Sequence, residues 1–277
     1  MLRVVGGKEF TCEDRGVAII IPARFGSTRF PGKSLAELRG VSGAPKSLLL
    51  RSWEAANRVN GVDEIWIATD DIRIRDAAEQ FGARVVMTSS DCRNGTERCT
   101  EAVLAADIKS DLIVNFQGDA PLTPPLAVEA LIQTMHDAPC VEVATTMVRC
   151  SPVAADCLRV DETAGRSRAT TVVFDRNFDA LYFSRSIIPF VPERMARPPV
   201  YLHVGVFGYR RDALMHYPGL EPSVFEETEG LEQLRFLDAG IPIRMIEVGT
   251  PPGGVWEVDC PSDLVSVEAA LVERHLH

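Results

Sequence analysis

Short apolar runs alternate with stretches of helical periodicity along the first half of the chain. Ile19, Ile20 and Ile21 have the β-branched character of a fully buried strand, and Pro22 predicts where its ladder stops. Ser47 to Val59 carries Leu48, Leu49, Trp53, Ala56 and Val59 at helical spacing, and Val62 to Ala68 returns as a strand. A second unit follows. Arg73 to Phe81 predicts a helix stopped by Gly82, Arg84 to Met87 a strand, Glu97 to Ala106 a helix and Leu112 to Phe116 another strand. Thr123-Pro124-Pro125 opens a helix that extends to His136.

The second half departs from that rhythm. Val141 to Val148 predicts a strand, and Thr170 to Asp175 and Ala180 to Arg185 predict strands on either side of a turn at 176–179. Pro189 to Pro199 is proline-rich and basic, which suits a loop or arm. Tyr201 to Tyr209 alternates in strand fashion, Glu226 to Ala239 predicts a helix with Leu231, Leu234 and Leu237 inward, and Pro261 to His275 predicts a final helix. Residues 1–16 have no clear periodicity and are expected to form a flexible extension, leaving 17–277 as one domain with halves at 17–135 and 136–277.

Strands alternating with helices imply an α/β fold with a mostly parallel sheet covered on both faces. The predicted strands end at polar clusters, Ala23-Arg24, Thr69-Asp70-Asp71 and Gln117-Gly118-Asp119. In a parallel arrangement these share one edge, where open α/β sheets bind their ligands.

Composition narrows the possibilities. The chain has 277 residues, with 29 basic and 39 acidic side chains and a formal charge of −10, which argues against non-specific nucleic-acid binding. No apolar stretch approaches the roughly 20 residues that cross a bilayer, and the N-terminus lacks a signal-peptide core, so a cytoplasmic location without membrane contact is expected. The seven cysteines are scattered and form no CxxC pair, so reduced thiols are expected rather than disulfides or a zinc site.

Against this acidic background, the loop after the first apolar run concentrates Arg24, Arg29 and Lys33 with Gly26, Ser27 and Gly32. Basic residues in turns usually form a solvated surface. Here a buried-type strand, two glycines and three cations coincide, which suits backbone and side-chain contacts to phosphates. Asp119 lies directly beyond the LIVNF run, and Asp259 follows a later apolar stretch. Two carboxylates at one sheet edge suit Mg²⁺ bound to substrate phosphates. Spacing alone serves Asp259 equally well as a helix N-cap, and it allows Arg98 to pair with Glu97 or Glu101. His203 lies in an apolar strand, the usual setting of a satisfied core histidine, and Gln233 could face solvent because Leu231 and Leu234 account for the buried stripe.

IPARFGSTRFPGK, ATDD at Ala68 to Asp71, NGTER at Asn94 to Arg98, QGD at Gln117 to Asp119, ALYFSR at Ala180 to Arg185, His203 to Arg210, LEQLRF at Leu231 to Phe236 and VDCPSDL at Val258 to Leu264 occur in order. Together they resemble the CMP-ulosonate synthetases, most of all the 3-deoxy-manno-octulosonate cytidylyltransferase family, over about residues 17–270. The resemblance implies a Rossmann-like three-layer nucleotidyltransferase fold with a smaller second-half sheet or arm. It also implies a homodimer and a Mg²⁺-dependent transfer from CTP to a small anionic sugar acid such as Kdo, with release of pyrophosphate. Carried over by position, it places Arg24, Lys33 and Asp119 in catalysis, and Ala23, Arg24, Lys33, Asp70, Arg98 and Gln117 around the nucleotide. It places Arg29, Gln117, Arg185, His203, Glu229 and Gln233 around the acceptor, and Asp119 and Asp259 on the metal.

Departures from the family pattern occur at Ala120, Cys92 and Thr171, and a longer RGVSGAPKSL replaces the usual segment at Arg39 to Leu48. They leave open a shifted acceptor or harmless drift. The alternatives are a transferase of this fold acting on another acid or with another nucleotide, and a non-catalytic nucleotide-binding homologue. Retention of both metal carboxylates favours an enzyme.

Overall fold

The computed structural model describes residues 16–27, 29–163, 169–191, 198–254 and 257–277. The expected N-terminal extension, apart from Gly16, and most of the proline-rich arm lie outside these residues. In chain order the elements are β1 (Val17–Ala23), β2 (Glu37–Arg39), β3 (Pro45–Ser47), α1 (Leu48–Ala56), β4 (Glu64–Thr69), α2 (Ile72–Gln80), β5 (Arg84–Met87), α3 (Gly95–Ala105), β6 (Leu112–Phe116) and α4 (Pro125–Asp137). The second half continues with β7 (Val143–Arg149), α5 (Pro152–Thr163), β8 (Thr171–Phe174), β9 (Ala180–Ser184), β10 (Tyr201–Arg210), α6 (Arg211–His216), α7 (Val224–Glu229), α8 (Leu234–Asp238), β11 (Ile243–Val248) and α9 (Asp263–Glu273).

The main sheet runs β11-β7-β10-β6-β1-β4-β5, with β8 and β9 attached alongside β10. Pairing of β1 with β4 and β6, of β4 with β5 and of β7 with β11 is parallel, whereas β10 is antiparallel to β6, β7 and β8. From β5 the chain returns to the far side of β1 as β6, so β1 and β6 flank a topological switch point. Each face of the sheet has its own apolar core. One contains Ile20, Ile113, Met147, Phe207 and Tyr209 with Cys99, Leu214 and Phe236, and the other Ile19, Ile21, Val114 and Phe116 with Leu49, Ile74 and Leu131. This is the expected three-layer α/β arrangement, and its all-apolar central strands are those of a sheet buried on both faces.

The structure alters several expected elements. β1 does not stop at Pro22 but continues to Ala23 along β4, while its pairing with β6 ends at Ile20. Pro22 therefore lies where the sheet opens and has only one ladder to interrupt. Gly118 packs here against the Pro22 carbonyl, where an added Cβ would come within 2.7 Å. The helix expected over Glu226 to Ala239 is broken, because Gly230 takes a left-handed conformation, φ 64°, at the end of α7. The intervening residues carry Glu232 and Gln233 inward. β2 and β3, formed partly from the longer Arg39 to Leu48 segment, make a hairpin whose Val41 N–H donates to the Leu276 carbonyl at 2.9 Å. The six cysteines among the described residues are free.

Candidate active site

The carboxyl ends of β1 and β6 deliver two loops to the switch point. In the first, the N–H groups of Ser27 and Gly32 both donate to the Phe25 carbonyl at 2.9 Å, so these two are turned into the loop rather than outward. Gly32 is needed there, since its φ is 71° and an added Cβ would lie 2.9 Å from the Phe25 ring. The closed loop aims Lys33 at the second loop. Its ammonium donates to Asp119 Oδ2 at 2.5 Å and to the Val258 carbonyl at 2.9 Å, and lies 3.8 Å from Asp259 Oδ1. Arg29 reaches the same Asp259 carboxylate at 2.8 Å. Arg24, just beyond the end of β1, is exposed.

Asp259 does not act as the N-cap that its spacing also permits. The cap of α9 is Ser262, and the Asp263 carboxylate accepts from the N–H groups of Asp259 and Cys260 at 2.9 and 2.8 Å. The Asp259 carboxylate is thereby left to the cleft. A small third core, Leu38, Leu48, Leu122, Val258, Val267 and Leu271 with Phe30 packed on it, lies among the segments that carry Lys33, Asp119 and Asp259.

Glu257 links this array to the middle of the cleft. Its carboxyl is held above the usual range, because surrounding protein disfavours its charge and Asp119 and Asp259 repel it. Water nonetheless reaches the side chain, as expected on the wall of an open cleft. Gly205 passes beneath it, where an added Cβ would lie 2.8 Å from Glu257 Oε1 and 3.4 Å from Gln117 Cγ.

At the end of β4, Arg98 is buried and pairs with neither Glu97 nor Glu101. Its guanidinium donates to Thr88 Oγ1 at 2.6 Å and meets Asp70 Oδ2 at 3.4 Å, tying α3 to the end of β4. Glu97 pairs instead with Arg93 and Arg235, and Glu101 accepts from Ser89 N–H and the Cys92 thiol. Asp70 Oδ1 is buried without a protein partner. Ala23 is buried at the end of β1.

Beyond Gly205 lies a polar cluster of a different character. Gln117 Nε2, Asn115 Nδ2 and Glu232 Oε1 gather around Gly95 at the start of α3, within 3.5 Å of the point its Cβ would occupy. Glu232 also accepts from Thr96 Oγ1 at 3.0 Å, and burial raises its pKa. Gln233 is buried, and its Nε2 has no protein partner; both polar atoms of Asn115 are likewise buried and unpaired. His203 lies on β10 between the rings of Phe183 and Phe207, with centroids 5.2 and 5.0 Å away, and burial lowers its pKa to about 3. Its Nε2 is 2.8 Å from Thr145 Oγ1.

Arg185 and Glu229 form a clasp of their own. The Glu229 carboxylate accepts from Ser184 Oγ at 2.7 Å and from Arg185 N–H at 2.8 Å, and Arg185 Nε donates to the Glu229 carbonyl at 2.6 Å. Glu229 thus faces β9, and the acidic side chain beside Gln117 is Glu232. Sequence periodicity had no means of finding Glu232, Asn115 or Thr145, since each meets its neighbours, Gly95 or His203, only through the fold. For Glu232, the signals available were Gly230, a helix-breaking residue two positions before it, and its place in the LEQLRF motif.

The family model described as Cytidylyltransferase matches residues 18–244. The chain belongs to the cytidylyltransferase family. The 3-deoxy-manno-octulosonate cytidylyltransferase of Maricaulis maris (strain MCS10) is 44% identical over 255 residues, covering 92% of this chain and 96% of the relative. Its Escherichia coli counterpart is 41% identical over 257 residues, 92% and 96% of the two chains. A solved CMP:2-keto-3-deoxy-manno-octonic acid synthetase complexed with CTP gives a TM-score of 0.79 at 38% identity, covering 92% of this chain and 97% of the other. This cytidylyltransferase is therefore an α/β nucleotidyltransferase, as its sequence motifs imply. No helix among its described residues is long and apolar enough to cross a membrane.

Proposed function

We propose that this cytidylyltransferase couples CTP to a 3-deoxy-ulosonic acid, Kdo or a close analogue, giving the CMP-sugar and pyrophosphate. The observation that carries the proposal is the juxtaposition of an ionic array, Arg29, Lys33, Asp119 and Asp259, with the polar cluster of Gln117, Asn115 and Glu232 around Gly95, the two joined through Glu257 and Gly205. The array suits a triphosphate, and the cluster suits a hydroxyl-rich acid. The CTP-bound structural relative and the named activity of the curated relatives support the same pairing.

In this scheme the anomeric hydroxyl of the acid attacks the α-phosphorus of CTP, a new P–O bond forms, pyrophosphate departs and the hydroxyl proton is released. Lys33 and Arg24 neutralise charge building on the departing phosphates, and the cluster holds the acid in line. Asp119 and Asp259 both meet the Lys33 ammonium, so their carboxylates converge on one region. Among the described residues no cluster of three or more His, Cys, Asp or Glu is arranged for a metal. Two carboxylates completed by phosphate oxygens and water are the donor set that Mg²⁺ favours, and they would hold it here. When bound, the ion supplies further neutralisation of the triphosphate.

Pyrophosphate release measured with each nucleoside triphosphate against a panel of ulosonic acids, with and without Mg²⁺, tests this. Turnover with CTP and a 3-deoxy-ulosonic acid, lost on chelation, is expected. Turnover confined to ATP or UTP, or none with any pair despite CTP binding, would contradict it. A homodimer and a cytoplasmic location belong to the same proposal. Exposed Leu181, Val224 and Phe225 give the second half an apolar surface for a partner copy, and the solution mass would show it.

A further inference from the structure

β10 carries an irregularity that reaches the acceptor pocket. On β7, Thr145 and Thr146 are consecutive, but their partners on β10 are Phe207 and Val204, so Gly205 and Val206 are inserted opposite a single step. The Val206 carbonyl is left without its β7 ladder partner, and Thr145 Oγ1 lies 2.7 Å from it. Carbonyls can only accept, and of the two within reach Val206 is at 2.7 Å and Val204 at 3.4 Å, so the single hydroxyl proton of Thr145 is committed to Val206. The same Oγ1 is 2.8 Å from His203 Nε2, and with its proton spent it can only accept there. His203 Nε2 must then carry hydrogen. The ring is neutral at ordinary pH, because burial opposes its charge and no charged partner offsets that. Its Nδ1 is therefore a lone pair, and no described residue donates to it.

We propose that Thr145 is a positioning residue that uses the bulge carbonyl of Val206 to lock His203 in the Nε2–H tautomer, presenting Nδ1 as an acceptor for a hydroxyl group of the acid. This rests on the proposed acceptor pocket for its final clause only. An acceptor at this point selects for a donor, so a hydroxyl or ammonium substituent is taken and a carboxylate or ether oxygen is turned away. Thr145 itself is fully buried and touches the acid only through His203.

Long-range ¹H–¹⁵N correlation spectra of the histidine rings in the ligand-free protein, assigned with His203→Gln, read the tautomer without any substrate. The neutral Nε2–H pattern at pH 7 is expected for His203. Thr145→Val, nearly the same shape, should lose the single tautomer and raise the KM for the acid about tenfold with the KM for CTP unchanged, and Thr145→Ser should restore both. An Nδ1–H or doubly protonated His203 in the parent protein would overturn the proposal. So would an unchanged acid KM in a folded Thr145→Val protein, or failure of Thr145→Ser to restore it. If the parent protein turned over no ulosonic acid, the functional reading would fall on that result, while the spectra would still decide the lock.

Discussion

Two groups of polar side chains solve opposite problems. Around Lys33, charges are held in pairs: Arg29, Lys33, Asp119 and Asp259 neutralise one another within 2.5 to 3.8 Å, with Lys33 and Asp119 largely covered and Arg29 and Asp259 open to solvent. Elsewhere His203, Gln233 and Asn115 are carried on or beside the sheet, largely without charge and in part without partners. Under the proposed function, the first group trades one counter-ion for another when a triphosphate binds. The second cannot rearrange cheaply, since a buried polar group left unpaired costs about 1–3 kcal/mol.

The largest effect that would break this contrast is in the first group. Asp119→Asn should lower kcat by about 10²–10³-fold with an unchanged circular dichroism spectrum, because it removes preorganised charge from a loop without opening a core. Near-normal kcat would remove Asp119 from the site. Next, Gln233→Leu should raise the KM for the acid by about 10–100-fold while thermal stability stays level or rises, since it deletes a buried amide nitrogen that has no partner in the free protein. A large loss of stability would make Gln233 a structural residue instead.

Titration sharpens the same contrast. The folded-state pKa of His203 is depressed, to about 3, from an ordinary value of 6.5. Its contribution is present in full above about pH 6.5, and it is lost as the pH falls towards 3, because the unfolded chain takes up the proton first. The slope is at most about 1.4 kcal/mol per pH unit. Denaturant melts of the parent and His203→Gln between pH 7 and 4 should therefore converge on acidification. The smallest effect is expected at Glu229→Ala, which loosens the Ser184 and Arg185 clasp at a cost of about 1 kcal/mol, read as a lower denaturation midpoint.

The loop from Ile19 to Lys33 was far more legible in the sequence than the surroundings of His203 and Gln233, for a physical reason. A strand, a glycine turn and three cations within Ile19 to Lys33 are local, and β5 and β6 match their expected spans because short apolar runs bounded by turns are local too. The partner of Arg98 is Asp70, 28 positions away, and neither of the nearby glutamates that spacing suggested. The break at Gly230 depends on one residue taking a left-handed conformation within a stretch of good helical periodicity, and periodicity averages such a residue away. Thr145 acquires its role only through a bulge on a strand 58 residues further on.

Direct detection of the product tests the central claim most simply. The purified protein incubated with CTP, Mg²⁺ and Kdo, followed by mass spectrometry and ³¹P resonance, should form one CMP-sugar and one pyrophosphate per CTP consumed. CTP bound but unconsumed with Kdo and with every related ulosonic acid, or CMP appearing without a sugar attached, would contradict it.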